Sequence, residues 1–140
     1  MKITPLWLIS IMFPAVGMAQ QPGEAIDKQL ENCKMQANTT VENSQCYVKA
    51  TRQWDDELNN QYRLLLKDQT ESARQKIRAA QRSWVQYKES YNEAIAAYYQ
   101  QQQGSIWPLV AAEARMNVIR DKAIDLYRLR VSTSLAGEEG

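Results

Sequence analysis

The sequence predicts an all-α fold: a small antiparallel helical bundle of three long helices plus a short N-terminal helix tied by one disulfide. Three observations lead there. Beyond the first 19 residues, Gln, Ala, Glu, Lys, Arg and Leu dominate. Apolar residues recur at steps of three and four through three long segments, and no period-two alternation persists long enough for a sheet. Proline is confined, past residue 19, to Pro22 and Pro108, both outside those segments' interiors.

The chain opens with a leader. Lys2 supplies one positive charge, an apolar run follows from Ile3 to Val16, and Gly17-Met18-Ala19 places small residues where a signal peptidase cuts. This is the three-part layout of a removable signal peptide, with cleavage expected after Ala19. A membrane anchor needs about 20 apolar residues, and this shorter run is broken by Pro5 and Pro14. Gln20, not cysteine, follows the cut, which argues against a lipid anchor there. Residues 1–19 are therefore read as signal peptide, 20–23 as a disordered leader, 24–131 as the folded domain and 132–140 as a flexible tail. The mature protein is expected in the periplasm or outside the cell, with no membrane insertion after cleavage.

The first helix is expected from Glu24 to about Gln36, where Ala37-Asn38-Thr39 breaks it. Thr39 and Glu42 form a capping-box pattern that opens the second helix, which runs to about Lys67. Its apolar stripe is Tyr47, Ala50, Trp54, Leu58, Tyr62 and Leu65. Asp68 or Thr70 caps the third helix, which runs to about Gln102 with the stripe Ile77, Ala80, Trp84, Tyr87, Tyr91, Ala94 and Tyr98. Alternating steps of three and four mark a packing seam. Gly104 stops that helix and Pro108 opens the fourth, which extends to Val131. Its stripe is Leu109, Ala112, Met116, Ile119, Ala123 and Leu126.

Cys33 and Cys46 are the only cysteines. An even count in an exported chain reads as a disulfide, here joining the first helix to the start of the second.

Composition removes most chemistry. There is no histidine, so the commonest general base and the commonest metal ligand are missing together. Bridged cysteines leave no thiolate for zinc or for attack. No GxSxG, P-loop or GxGxxG pattern occurs. Asp55-Asp56-Glu57 are neighbours on a helix and point in different directions, so they do not make a facing carboxylate pair. Without Lys2, 16 basic residues balance 16 acidic ones, and no basic footprint for nucleic acid exists. We expect no enzyme activity, no cofactor and no metal.

What remains is binding. Gln103-Gly104-Ser105-Ile106-Trp107 is a glycine-containing connection carrying large apolar residues, and loops carry function more often than core positions do. It is the candidate partner-binding loop, with Ser105 as donor and Ile106 or Trp107 as anchor. The competing reading makes Trp107 a hydrophobic plug at the bundle end. Tyr98 and Tyr99 belong to the same neighbourhood in either reading.

Several segments together carry a resemblance. Cys33 and Cys46, then Asp55-Asp56-Glu57-Leu58-Asn59-Asn60-Gln61-Tyr62, then Ala80-Gln81-Arg82-Ser83-Trp84-Val85-Gln86-Tyr87-Lys88, then Gly104-Ser105-Ile106 resemble, in order, the LprI-type lysozyme inhibitor family of bacterial envelope proteins. The similarity spans about Cys33 to Leu126. It implies an exported helical protein that binds a lysozyme-like muramidase and blocks it. The chain departs from the family pattern at Lys88, where arginine is usual. It departs at Asn92 and Ala114, which stand where a second cysteine pair is common. It departs again at Ile119 and Lys122, where threonine and arginine are usual.

Leu58, Tyr62, Trp84 and Tyr87 lie on the expected buried stripes. Asp55, Asn59, Gln81 and Lys88 flank them and are expected to form a polar network that holds the second and third helices in register, or else to line a binding surface. Two further readings share the same compartment and lack of chemistry: an immunity protein against a toxin delivered to the periplasm, and a structural or chaperone-like envelope module.

Overall fold

The computed structural model describes residues 21–137; the expected signal peptide, residue 20 and the last three tail residues lie outside them. The elements are four α-helices, α1 (Glu24–Gln36), α2 (Thr40–Leu66), α3 (Glu71–Gln100) and α4 (Trp107–Val131), followed by a 3₁₀ helix, Ser132–Gly137. The described chain therefore continues in helical turns past Ser132. Its hydroxyl donates to Leu129 O and the Thr133 hydroxyl donates to Arg130 O, and these bonds carry the chain from α4 into the tighter turn.

Helix ends follow the local chemistry. Thr39 accepts from the Glu42 amide at 3.1 Å, and the Glu42 carboxylate accepts in return from the Thr39 amide at 3.3 Å and from the Asn38 amide at 2.6 Å. At α3 the cap is Thr70, whose hydroxyl accepts from the Ala73 amide at 3.2 Å. Asp68, the other candidate, takes a left-handed conformation at φ 57° in the turn. Aspartate tolerates that region, which is why it suits a turn better than a cap here.

The core is the α2–α4 interface. Trp54, Leu58, Ala50 and Leu65 of α2 meet Met116, Ile119, Ala123 and Leu126 of α4, and Tyr47 and Cys46 extend the cluster toward Leu30 of α1. Trp54 is fully enclosed. Its ring rests against Gly23, where a Cβ would overlap it, and Gly23 itself sits at φ 82°. Residue 23, expected in a disordered leader, thus seals one side of the core. On another side the Arg120 guanidinium lies 5.3 Å from the indole ring and makes a two-pronged bond to Asp27, Nη2 to Oδ2 at 2.9 Å and Nε to Oδ1 at 3.2 Å. Hydrogen bonding to that carboxylate holds the guanidinium more firmly protonated than usual.

The third helix departs from expectation. Its inward residues are Ile77, Gln81, Trp84, Lys88, Asn92, Ile95 and Tyr99, all buried or half-buried. Tyr87, Tyr91 and Tyr98 of the expected seam are exposed, as are Ala80 and Ala94. The cause is geometric. A stripe with a strict seven-residue repeat drifts about 20° per heptad on a straight helix. The two faces share Ile77 and Trp84, but Ala80 already lies off the contact and the later seam positions turn further from it, leaving three tyrosines facing solvent.

The Cys33–Cys46 disulfide joins α1 to α2 across a sequence separation of 13 residues. Closing a loop of that size restrains the unfolded chain by about 3 kcal/mol. Reduction is therefore expected to lower the urea midpoint by the equivalent of about 3 kcal/mol; coincident unfolding curves with and without reductant would show the bridge to be energetically idle.

Candidate functional site

The α3–α4 connection is built by an indole. Gly104 turns the chain at φ 124°, a conformation for which side chains are poorly suited. Trp107 then folds back, its Nε1 donating to Gln103 O at 3.1 Å, and its ring stacks on Tyr99 with centroids 5.9 Å apart and planes 16° from parallel. Tyr98 meets Tyr99 edge to face at 5.1 Å. The consequence is a braced tip. Trp107 is half-buried and holds the turn, whereas Gln103, Gly104, Ser105 and Ile106 face outward, Ile106 being 49% exposed. Of the two candidate anchors, Ile106 is presented and Trp107 is the brace.

The motif residues divide differently from the expectation. Leu58 is buried, Tyr62 and Trp84 pack half-buried against the core, and Tyr87 is exposed, stacked on Tyr91 at 5.5 Å. Asp55, Gln81 and Lys88 are half-buried and Asn59 is exposed. Among the described residues these four polar side chains make no hydrogen bonds to one another; Lys88 lies instead 5.5 Å from the Trp84 ring. The ties between helices come from other residues. Gln61 is buried, donates to Glu57 Oε1 at 2.6 Å and accepts from Arg130 Nε at 3.2 Å, linking α2 to α4. The Asp27–Arg120 pair links α1 to α4. Long side chains choose partners by three-dimensional reach, so adjacency to a stripe did not identify them.

The family model described as "Lysozyme inhibitor LprI" matches residues 31–126, which include both cysteines, both motif segments and the whole hairpin tip. The chain belongs to the LprI family. Neither curated proteins nor solved structures yield a match.

Within this LprI domain, the positions that depart from the family pattern have clear structural places. Asn92 points inward from α3, and its Oδ1 is buried without a hydrogen-bond partner among the described residues. Ala114 lines a groove between α3 and α4 together with Trp84, Tyr87 and Tyr91. Ile119 is part of the core, and Lys122 pairs with Asp125 at 3.3 Å. Among the described residues no group of three or more His, Cys, Asp or Glu side chains is placed to hold a metal ion, and no helix is long and apolar enough to cross a membrane. The site offers shape, apolar surface and hydrogen-bond donors, the means of a protein-binding surface.

Proposed function

We propose that this protein is exported to the periplasm or beyond and there blocks a lysozyme-like cell-wall hydrolase by seating the α3–α4 hairpin tip in the enzyme's cleft. The observation that carries the reading is the braced tip: Ile106 projects from a turn already fixed by the Trp107–Gln103 bond and the Trp107–Tyr99 stack. A pre-ordered tip loses little conformational freedom on docking, and an exposed apolar anchor gains by desolvation. Membership of the LprI family supports a muramidase as the partner. The leader pattern and the disulfide support an oxidising compartment.

The test is a cell-wall turbidity assay with lysozyme and the mature protein. Slowing of lysis that saturates with added protein is expected. Unchanged lysis at several-fold molar excess would remove lysozyme as the target. Capture of a toxin in place of a muramidase, in a pull-down with the mature protein, would move the reading to immunity.

A further inference from the structure

Beneath the hairpin tip, between the end of α3 and the start of α4, lies a cavity of about 300 Å³. Its apolar walls include the Tyr99–Trp107 stack and Pro108, and its polar members are Gln100, Gln102 and Arg115. No carboxylate lines it.

Four arginines of the described chain are half-buried: Arg74, Arg115, Arg120 and Arg130. Three have acceptors. Arg74 Nε donates to Leu66 O at 3.1 Å, Arg120 grips Asp27, and Arg130 donates to Gln61. Arg115 has neither a hydrogen bond nor an ion pair among the described residues. A guanidinium on a cavity wall with no protein acceptor keeps its donors free for an incoming anion.

We infer that this cavity is a carboxylate-binding site, and that it receives an acidic side chain of the protein partner. The planar fork of arginine matches a carboxylate in two parallel bonds. The glutamine amides add donors, and the aromatic wall suits the short aliphatic stem of Asp or Glu. One cation in a small cavity matches a single negative charge. The site itself stands on the geometry alone; only the owner of the carboxylate rests on the proposed function, since a lysozyme-type cleft displays two carboxylates.

The experiment has two arms. In the first, the Trp107 indole N–H and Arg115 Nε–H resonances are followed by NMR while propionate or propionamide is added at constant ionic strength. Propionate is expected to give a saturable shift with a midpoint on the order of 10–100 mM, as for one charge-assisted contact pair. Propionamide should give none, Arg115→Gln should abolish the response, and Arg128→Gln on the exposed face of α4 should keep it. A flat response, or an equal one to propionamide, overturns the site.

In the second arm, Arg115→Gln is compared with wild type in the turbidity assay, with its thermal midpoint as a check on folding. A loss of about tenfold or more in inhibitory potency is expected, partly restored in Arg115→Lys. Equal inhibition by wild type and Arg115→Gln overturns the partner's carboxylate as the occupant. Propionate binding in a wild type that does not inhibit lysozyme sustains the carboxylate site and sinks the lysozyme reading instead.

Discussion

Trp54→Ala is expected to destabilise the protein by about 3–5 kcal/mol, the cost of removing a large aromatic side chain from a closed core. The site cannot relax easily. Gly23 presses on the ring from one side, the Arg120 guanidinium covers it from another, and Leu58 and Ala123 are closed around the same α2–α4 interface. The loss has two parts. The void forfeits packing contacts along its whole lining, and Arg120 gives up its aromatic face and keeps only its carboxylate partners, Asp27 and Asp121. The pair itself is partly exposed, at 32% and 41% of side-chain area, so solvent screening keeps its own contribution small. A domain of this size is stable by about 5–15 kcal/mol in total, so urea unfolding should show a midpoint reduced by about a fifth or more. A change below about 1 kcal/mol would mean that the core is not centred on this residue.

Ile106→Asp is expected to reduce inhibition of the target hydrolase about 30-fold or more, the equivalent of about 2 kcal/mol for a central anchor. The substitution removes the exposed apolar surface and, in the proposed complex, places a like charge against the carboxylates of the cleft. Its value lies in what it leaves alone. Ile106 is the residue preceding α4 and provides no side-chain cap, and the first turn of α4 has no acidic residue. An aspartate there meets the positive end of the helix. Stability should therefore hold or rise slightly while binding falls. A variant that inhibits as well as wild type would show that the tip is not the contact; one that loses both stability and inhibition would not discriminate the tip from the fold, so its thermal midpoint is measured alongside.

Much of the fold was legible because its signals are local. The Thr39–Glu42 box, Gly104 and Pro108 mark helix ends through chemistry confined to one turn, and the structure places helix bounds where those residues imply. The face of α3 was not legible. Its tyrosines obey a seven-residue repeat, but the helix has no partner that wraps around it, so a straight helix turns Tyr87, Tyr91 and Tyr98 outward. On α2 the apolar stripe pointed to Tyr62, yet Gln61 is the more deeply buried, satisfied by Glu57 and by Arg130 from 69 positions away. The tip could be found as a loop with apolar residues. The division of labour between Ile106 and Trp107 could not, because it depends on the indole reaching Gln103 O and on Tyr99 lying beneath it. Arg115 carries no sequence signal at all: its lack of a partner is a property of its neighbours in space.

The first helix is fastened at its two ends by bonds of very different reach. The cysteine bridge spans 13 positions, whereas the Asp27–Arg120 grip spans 93. Short loops close quickly and distant contacts wait for the chain between them to be ordered. The order of assembly follows. The α1–α2 hairpin can therefore make its local contacts before α4 is in place, and the slower oxidation locks it. The arrival of α4, which brings Arg120 onto Asp27 and Trp54 together, is then the committing step, and a chain halted before it would be oxidised yet have no core.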